Sequence, residues 1–194
     1  GSRRVKNAPA DGYTILHLHD AIQTAKYAGL VSYGPEAFEP IVGTGRVGLL
    51  IAVFKSAPYQ TLTDLMDTAQ QKPNSVIFAA NIGAPSHFAG LMLEQRKEGA
   101  RFRYTQTGGG AKRFSALAGG HVHVSAFSTA EYKQFRSAGL RALAYLGEER
   151  HPGLPDVPTA REQGLDVLSS NIGYWWAPRG TPRDRLDVIG SVLE

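Results

Sequence analysis

The stretch SVIFAANIGAPSHFAG, residues 75–90, changes from a continuous apolar run to small polar residues and then to a helical pattern. Its apolar first half predicts a buried strand. Pro85 suits the first position of a helix, because its missing N–H would be unpaired there anyway. Ser86 and His87 follow in the predicted first turn. A strand that runs through a short loop into a helix is the repeating unit of α/β proteins, so this stretch predicts the fold class.

The same order recurs on both sides of this stretch. RFRYTQ is followed by the loop TGGG (107–110) and a helix, and HVHVSAF (121–127) is followed by a helix from about residue 130. YTILHLH (13–19) and LRALAYL are further predicted strands, and a helix from Thr61 or Thr63 is predicted to end near Gln71. The repeats predict a mostly parallel sheet with right-handed crossovers. Such sheets bind ligands beyond the carboxyl ends of their strands.

Composition narrows the class of protein. The chain has 194 residues, a net charge of +4 and no cysteine. This length allows one large core or two small lobes. The absence of cysteine excludes disulfides, thiolate zinc sites and cysteine nucleophiles. Basic residues are scattered, which argues against nucleic acid. No stretch reaches the roughly 18 apolar residues of a membrane span, and none has the pattern of a signal peptide.

GTGRVG, residues 43–48, matches the dinucleotide-binding spacing G-x-G-x-x-G. That pattern carries meaning only where a strand ends and a helix opens. Here it is followed by LLIAVF, which predicts a strand, and the whole of residues 38–54 is expected to form one long strand or two short ones. The glycines therefore predict a bend and no nucleotide site.

Three loops at predicted strand ends are candidates for a ligand site, and each has a plain structural alternative. The stretch from Asn81 to His87 leads into a helix N-terminus, which attracts anions. The structural alternative is that Asn81 and Ser86 simply cap that helix. TGGG offers bare amides for an anion, with Lys112 nearby, or is a tight turn that needs positive φ. In FSTAE, Thr129 is the expected N-cap and Ser128 is expected to face the cleft, although capping alone explains both residues.

Metal binding and catalysis have little support in the sequence. The pairs His17/His19 and His121/His123 are each predicted to lie on one face of a strand. Zinc needs a third or fourth ligand, and no clear set exists, so no metal site is predicted. No G-x-S-x-G or H-E-x-x-H motif is present. The chain is therefore predicted to be neither an enzyme nor cofactor-dependent, with a nucleotide- or phosphate-using α/β enzyme at TGGG as the alternative.

The order of several motifs resembles one family. PADGYTIL, YTQTGGGAKRFSALAGGHV, LPDVPTAREQG and WWAPRGTP occur in one chain. Together they resemble the extracytoplasmic solute receptors of the tripartite tricarboxylate transporter system, the TctC or Bug family. The resemblance implies a type II periplasmic-binding-protein fold, in which two α/β lobes close like a Venus flytrap on a small organic carboxylate. It also implies a periplasmic location and membrane transporter subunits as partners.

The resemblance also implies which residues contact the ligand. In the second lobe these are Asn81, Ile82, Gly83, Ala84, Ser86, His87, Thr105, Thr107, Gly108, Gly109, Ser128 and Thr129. In the first lobe they are His19 and Asp20, at the end of the first predicted strand. Many members carry Asp at the position of Phe127, so its absence favours a plain or aromatic carboxylate over an amino acid.

The resemblance implies a division into two lobes. Residues 1–74 with 171–194 are expected to form an incomplete first lobe, and residues 75–170 a whole second lobe. Because the family begins with a further strand and loop and continues past GTPRDRLDVIGSVLE, the chain is expected to be truncated at both ends. A fragment that does not bind ligand, or that oligomerises through exposed apolar surface, is therefore an alternative function.

Overall fold

The computed structural model describes residues 1–193, which divide into two compact units. Unit 1 comprises Gly1–Arg46 and the C-terminal stretch from Asn171, and unit 2 comprises Val47–Ser170. The strands are β1 (Leu16–His19), β2 (Phe38–Phe54), β3 (Ile77–Ala80), β4 (Arg103–Gln106), β5 (Val124–Ser128), β6 (Leu140–Tyr145) and β7 (Ser170–Pro178). The α-helices are α1 (Ser2–Lys6), α2 (Ala21–Tyr27), α3 (Leu62–Gln71), α4 (Pro85–Arg96), α5 (Gly110–Ala118), α6 (Thr129–Phe135) and α7 (Arg183–Leu193).

Unit 2 is built on a mixed sheet with the strand order β6-β2-β5-β3-β4. β3 pairs in parallel with both β4 and β5. β2 pairs antiparallel with β5 and with β6. The expected mostly parallel sheet is therefore interrupted by one antiparallel strand. β2 is also the strand that leads from unit 1 into unit 2.

Both faces of this sheet are covered. Along β2, Leu49, Ile51 and Val53 pack in one apolar cluster, and Leu50 and Ala52 pack in the other. A strand buried on both faces has no polar side, which explains the continuous apolar run LLIAVF. The first cluster includes side chains of α3 and α4, and the second includes Leu117 of α5 and Tyr132 of α6.

The glycines of GTGRVG lie inside β2, at the passage from unit 1 to unit 2. Gly45 has φ +96°, a backbone conformation that favours glycine. A Cβ on Gly48 would overlap the Tyr145 side chain. The strand continues to Phe54 and opens no helix, so the context of a phosphate-binding turn is absent here, and the bend stays a prediction.

Unit 1 contains β1, β7 and the first part of β2. β1 pairs antiparallel with β7, from Leu16 opposite Trp176 to His19 opposite Gly173. The Trp176 indole N–H donates to Leu18 O at 3.2 Å, and its ring is buried in the core of this unit. β7 itself was not predicted from the sequence.

The division between the units differs from the expected one at its first boundary. Residues 47–74 belong to unit 2, because Leu62, Leu65 and Met66 of α3 are fully buried in its core. The second boundary falls between Ser170 and Asn171. Among residues 1–193, no helix has both the length and the apolar character to cross a membrane.

Candidate functional site

The three candidate loops of unit 2 follow three neighbouring strands. β3 lies between β5 and β4, and the three run in parallel, so their carboxyl ends meet at one edge of the sheet. Residues 81–84 follow β3, residues 107–109 follow β4, and β5 passes directly into α6. The sheet therefore brings the predicted unit 2 residues to one edge.

The loop at residues 81–84 satisfies its own backbone. Each of its four N–H groups donates within the protein. From Asn81 to Ala84 the acceptors are Ser86 Oγ at 3.2 Å, Gln106 Oε1 at 2.6 Å, His87 Nδ1 at 3.4 Å and Asn81 O at 2.9 Å. The predicted side-chain caps are absent, because the N-cap of α4 is Ala84. This loop consequently offers side-chain donors, such as the Ser86 hydroxyl, rather than free amides.

His87 stands at the third position of α4 as a neutral ring. Its Nδ1 accepts the Gly83 N–H, which leaves the proton on Nε2. Burial lowers the pKa of His87, and the Glu94 charge opposes that shift. The Tyr104 ring meets it edge-on, with 4.7 Å between ring centroids. His87 therefore presents a hydrogen-bond donor without a charge.

The loop between β4 and α5 differs from the loop at residues 81–84 because, in the part of the chain that the structure describes, several of its backbone N–H groups have no partner. Thr107 N donates to Ala80 O at 2.8 Å, and Gly108 has φ +92°. Gly109, exposed, is the N-cap of α5, and no side chain caps that helix. Within the described residues, the five backbone N–H groups from Gly108 to Lys112 have no hydrogen-bond partner. Thr105, half-buried on β4, accepts the Thr107 hydroxyl through its carbonyl.

The third loop is closed by a capping box, and the predicted cap is wrong by one residue. Ser128, not Thr129, is the N-cap of α6. Ser128 Oγ accepts the Glu131 N–H at 3.2 Å and donates to Glu131 Oε2 at 3.0 Å. Ser128 N also donates to Oε2, at 2.8 Å. The spacing Ser-x-x-Glu is the sequence signature of this arrangement. Thr129 is buried in the first turn of the helix.

A buried arginine joins two of the loops, and the sequence did not predict it. Arg113 is 6% exposed. Its Nη1 donates to Gly108 O at 2.7 Å, and its Nη2 lies 3.4 Å from Glu131 Oε1. Burial lowers the pKa of Arg113, whereas the Glu131 charge opposes that effect. A buried charge needs a partner, so Arg113 and Glu131 hold the α5 loop against the start of α6.

Phe127 is a core residue. It is fully buried, and the Arg113 guanidinium lies over its ring, 5.2 Å from the centroid. Phe127 thus fills the core beneath Arg113, and the class of carboxylate that its presence favours stays a prediction.

The candidates His19 and Asp20 lie in unit 1. Asp20 Oδ2 accepts the Ile172 N–H at 3.1 Å, and His19 Nδ1 accepts the Ala21 N–H at 3.2 Å. Both side chains thus contribute to local structure at the end of β1. His17 contacts Thr44 Oγ1 at 3.1 Å.

The second histidine pair does not lie on a strand face, because β5 begins only at Val124. His123 Nδ1 instead accepts the Ile77 N–H at 2.9 Å, at the start of β3. In residues 1–193 there is no group of three or more His, Asp or Glu side chains that could hold a metal ion.

His87 and His123 predict a fold that loses stability in acid. Burial and the Arg103 charge lower the pKa of His123, and burial lowers that of His87. Below the unfolded-state histidine pKa of about 6.5, the unfolded chain binds more protons than the folded chain. The stability that the two neutral histidines contribute is therefore complete above that pH and is lost as the pH falls. We expect the urea midpoint to drop between about pH 7.5 and about pH 5.5. His123→Asn, which keeps an acceptor without titrating, should drop less; an equal drop would contradict the assignment.

The sheet of unit 2 contains one antiparallel strand, and unit 2 is inserted in sequence between the two parts of the smaller unit 1. The loops at its strand ends precede helices. These features define the class of type II periplasmic binding proteins. Residues 1–192 match the model of the tripartite tricarboxylate transporter family receptor, TctC. The chain belongs to this family. This is a family of solute-binding receptors rather than of enzymes.

Individual relatives agree with this assignment. A UPF0065 protein from the tcbD-tcbE intergenic region of Pseudomonas sp. (strain P51) is 29% identical over 100% of the chain and 59% of its own length. R. palustris Rpa4515 with adipate is 27% identical, with a TM-score of 0.90 over 99% of this chain and 66% of that one. MatC from Rhodopseudomonas palustris with bound malate is 25% identical, with a TM-score of 0.90 over 99% and 67%. The chain thus spans less than two thirds of its curated relative.

Proposed function

We propose that this chain is a solute receptor that binds a small organic carboxylate at the loop edge of unit 2, for tripartite tricarboxylate-type uptake or sensing. The observation that carries the proposal is the run of five unpaired N–H groups from Gly108 to Lys112 at the start of α5. Such amides, together with the helix dipole, attract anions. Two relatives of known structure hold carboxylates, adipate and malate.

In this site the carboxylate oxygens accept hydrogen bonds from the α5 amides, and the exposed Lys112 adds a positive charge. The Ser86 hydroxyl and His87 Nε2 are the donors that the neighbouring loop supplies. Thr107, Gly108 and Gly109 shape the backbone beneath the anion. Binding is reversible and involves no covalent step. By its family the receptor works in the periplasm and passes its ligand to membrane transporter subunits.

Ligand binding is tested by thermal shift and calorimetry. The panel contains mono-, di- and tricarboxylates, aromatic carboxylates and acidic amino acids, with NAD and ATP as controls. A ligand that binds only the folded state raises the melting temperature by mass action. We expect a shift with carboxylates and none with the nucleotides. A shift with NAD or ATP alone would favour the enzyme alternative instead.

A second candidate function is self-association. Val188 and Val192 on α7 are 66% and 80% exposed. Exposed apolar side chains grouped on one helix favour contact with another molecule. Light scattering at several protein concentrations tests self-association. A molecular mass that rises with concentration supports an oligomer, and a constant monomer mass contradicts it.

The α5 amides are tested by removing one of them. Ala111, exposed at the second position of α5, tolerates proline in the first helical turn, and Ala111→Pro deletes its N–H. Because a hydrogen bond to a charged group contributes about 1.5–3 kcal/mol, we expect carboxylate affinity to fall at least about tenfold. Thr63→Pro, at the same position of α3, is the control and should leave the affinity unchanged. Equal affinities in the two variants would place the carboxylate elsewhere.

A further inference from the structure

Resting on the proposed function, we infer that Glu131 is a specificity-determining residue of the carboxylate site. It selects ligands that carry a hydrogen-bond donor, a hydroxyl or ammonium group, beside the bound carboxylate. It rejects ligands that place a second carboxylate there.

The Glu131 carboxylate is held in one position. Its Oε2 accepts both the N–H and the hydroxyl of Ser128, at 2.8 and 3.0 Å. Its Oε1 faces Arg113 Nη2 at 3.4 Å. The side chain is nevertheless 31% exposed, so it is fixed without being sealed from solvent. A carboxylate has about four lone-pair sites, and Oε1 keeps one of them for a ligand.

This acceptor lies directly beside the α5 amides. A Cβ on Gly110 would overlap Glu131 Oε1, so the two residues are in close contact. The Gly110 N–H is one of the five unpaired amides. A carboxylate bound at these amides therefore has the Glu131 negative charge as its neighbour.

The Arg113 guanidinium balances part of that charge from the buried side, and the start of α6 adds no donor on the side of the α5 amides. The Ser128 hydroxyl proton is already donated to Glu131, so Ser128 Oγ has only acceptor capacity left. Arg113 donates to Gly108 O through Nη1 and faces Glu131 through Nη2, and its Nε, which has no partner within the described residues, is buried. The partly exposed polar group at the start of α6 is therefore the Glu131 carboxylate, where a ligand donor gains a hydrogen bond and a second carboxylate meets like charge.

Three four-carbon ligands test the inference: butyrate, 3-hydroxybutyrate and succinate. They share a carboxylate and differ in the second group. Calorimetry on the wild-type chain should rank 3-hydroxybutyrate first, butyrate second and succinate last, with at least a fivefold difference between first and last, about 1 kcal/mol. Glu131→Gln, which removes the charge and adds a donor, should shrink that ratio to below about twofold.

Glu162→Gln is the matched control. Glu162 accepts from Thr159 N at 2.6 Å, pairs with Arg150 Nε at 2.9 Å, and donates its own N–H to Thr159 Oγ1. The same local motif thus occurs outside the three loops, and its variant should keep the wild-type ratio.

The outcomes separate the two proposals. Binding of the panel with an unchanged ratio in Glu131→Gln overturns the inference and leaves the proposed function standing. A wild-type preference for succinate also overturns it, and this result does not depend on whether the variant folds. Failure of the wild-type chain to bind any carboxylate contradicts the proposed function and, with it, the inference.

Discussion

Replacing Phe78 with alanine is expected to destabilise unit 2 by about 3–5 kcal/mol, the cost of emptying a buried aromatic position. Phe78 is fully buried at the centre of β3. Its ring centroid lies 5.3 Å from that of Phe102 and 5.5 Å from that of Tyr104. Because β3 carries the loop at residues 81–84, the loss should also weaken carboxylate binding.

Urea unfolding followed by far-UV circular dichroism measures the effect, and the loss should appear as a lower midpoint with an unchanged slope. Tyr13→Ala is the control, because Tyr13 is 90% exposed and its loss should cost no more than about 0.5 kcal/mol. Similar midpoints for the two variants would contradict the packing described for the core.

Replacing Arg113 with methionine is expected to reduce carboxylate affinity by at least about tenfold and stability by about 2–3 kcal/mol. Breaking a fully buried ion pair costs about 3–5 kcal/mol, and the partial exposure of Glu131 lowers that figure. Without the guanidinium, Gly108 O loses a donor and Glu131 is left without its cation. The α5 loop then loses its link to α6.

The measurements are calorimetry for affinity and urea unfolding for stability. Arg161→Met is the control, because the Arg161–Asp166 pair is exposed and such pairs contribute about 0–1 kcal/mol. An Arg113→Met variant that retained wild-type affinity would show that the ion pair has no part in positioning the site.

Much of unit 2 was predictable because its signals are local. Pro85 correctly marked the start of α4, and Thr61 caps α3 through a box with Asp64. The same reasoning, applied to the spacing Ser128-x-x-Glu131, would have identified the right cap for α6. The strand ends, and hence the three loops, followed from apolar runs that stop at polar residues.

What the sequence could not indicate depends on long-range partners. β7 is half-buried along most of its length and shows no alternation of buried and exposed residues, and its partner β1 lies at the other end of the chain. The role of Arg113 depends on its burial, and a single arginine on a predicted helix gives no sign of that.

Unit 1 is divided in sequence by the whole of residues 47–170, and β1 finds its partner only in β7. Pairs such as Leu16 with Trp176 bring together residues from opposite ends of the described chain. Unit 1 therefore cannot form until a very long loop has closed, and the entropy cost of that closure makes pairing of this kind slow. We expect the β1–β7 pairing to be a late step in refolding.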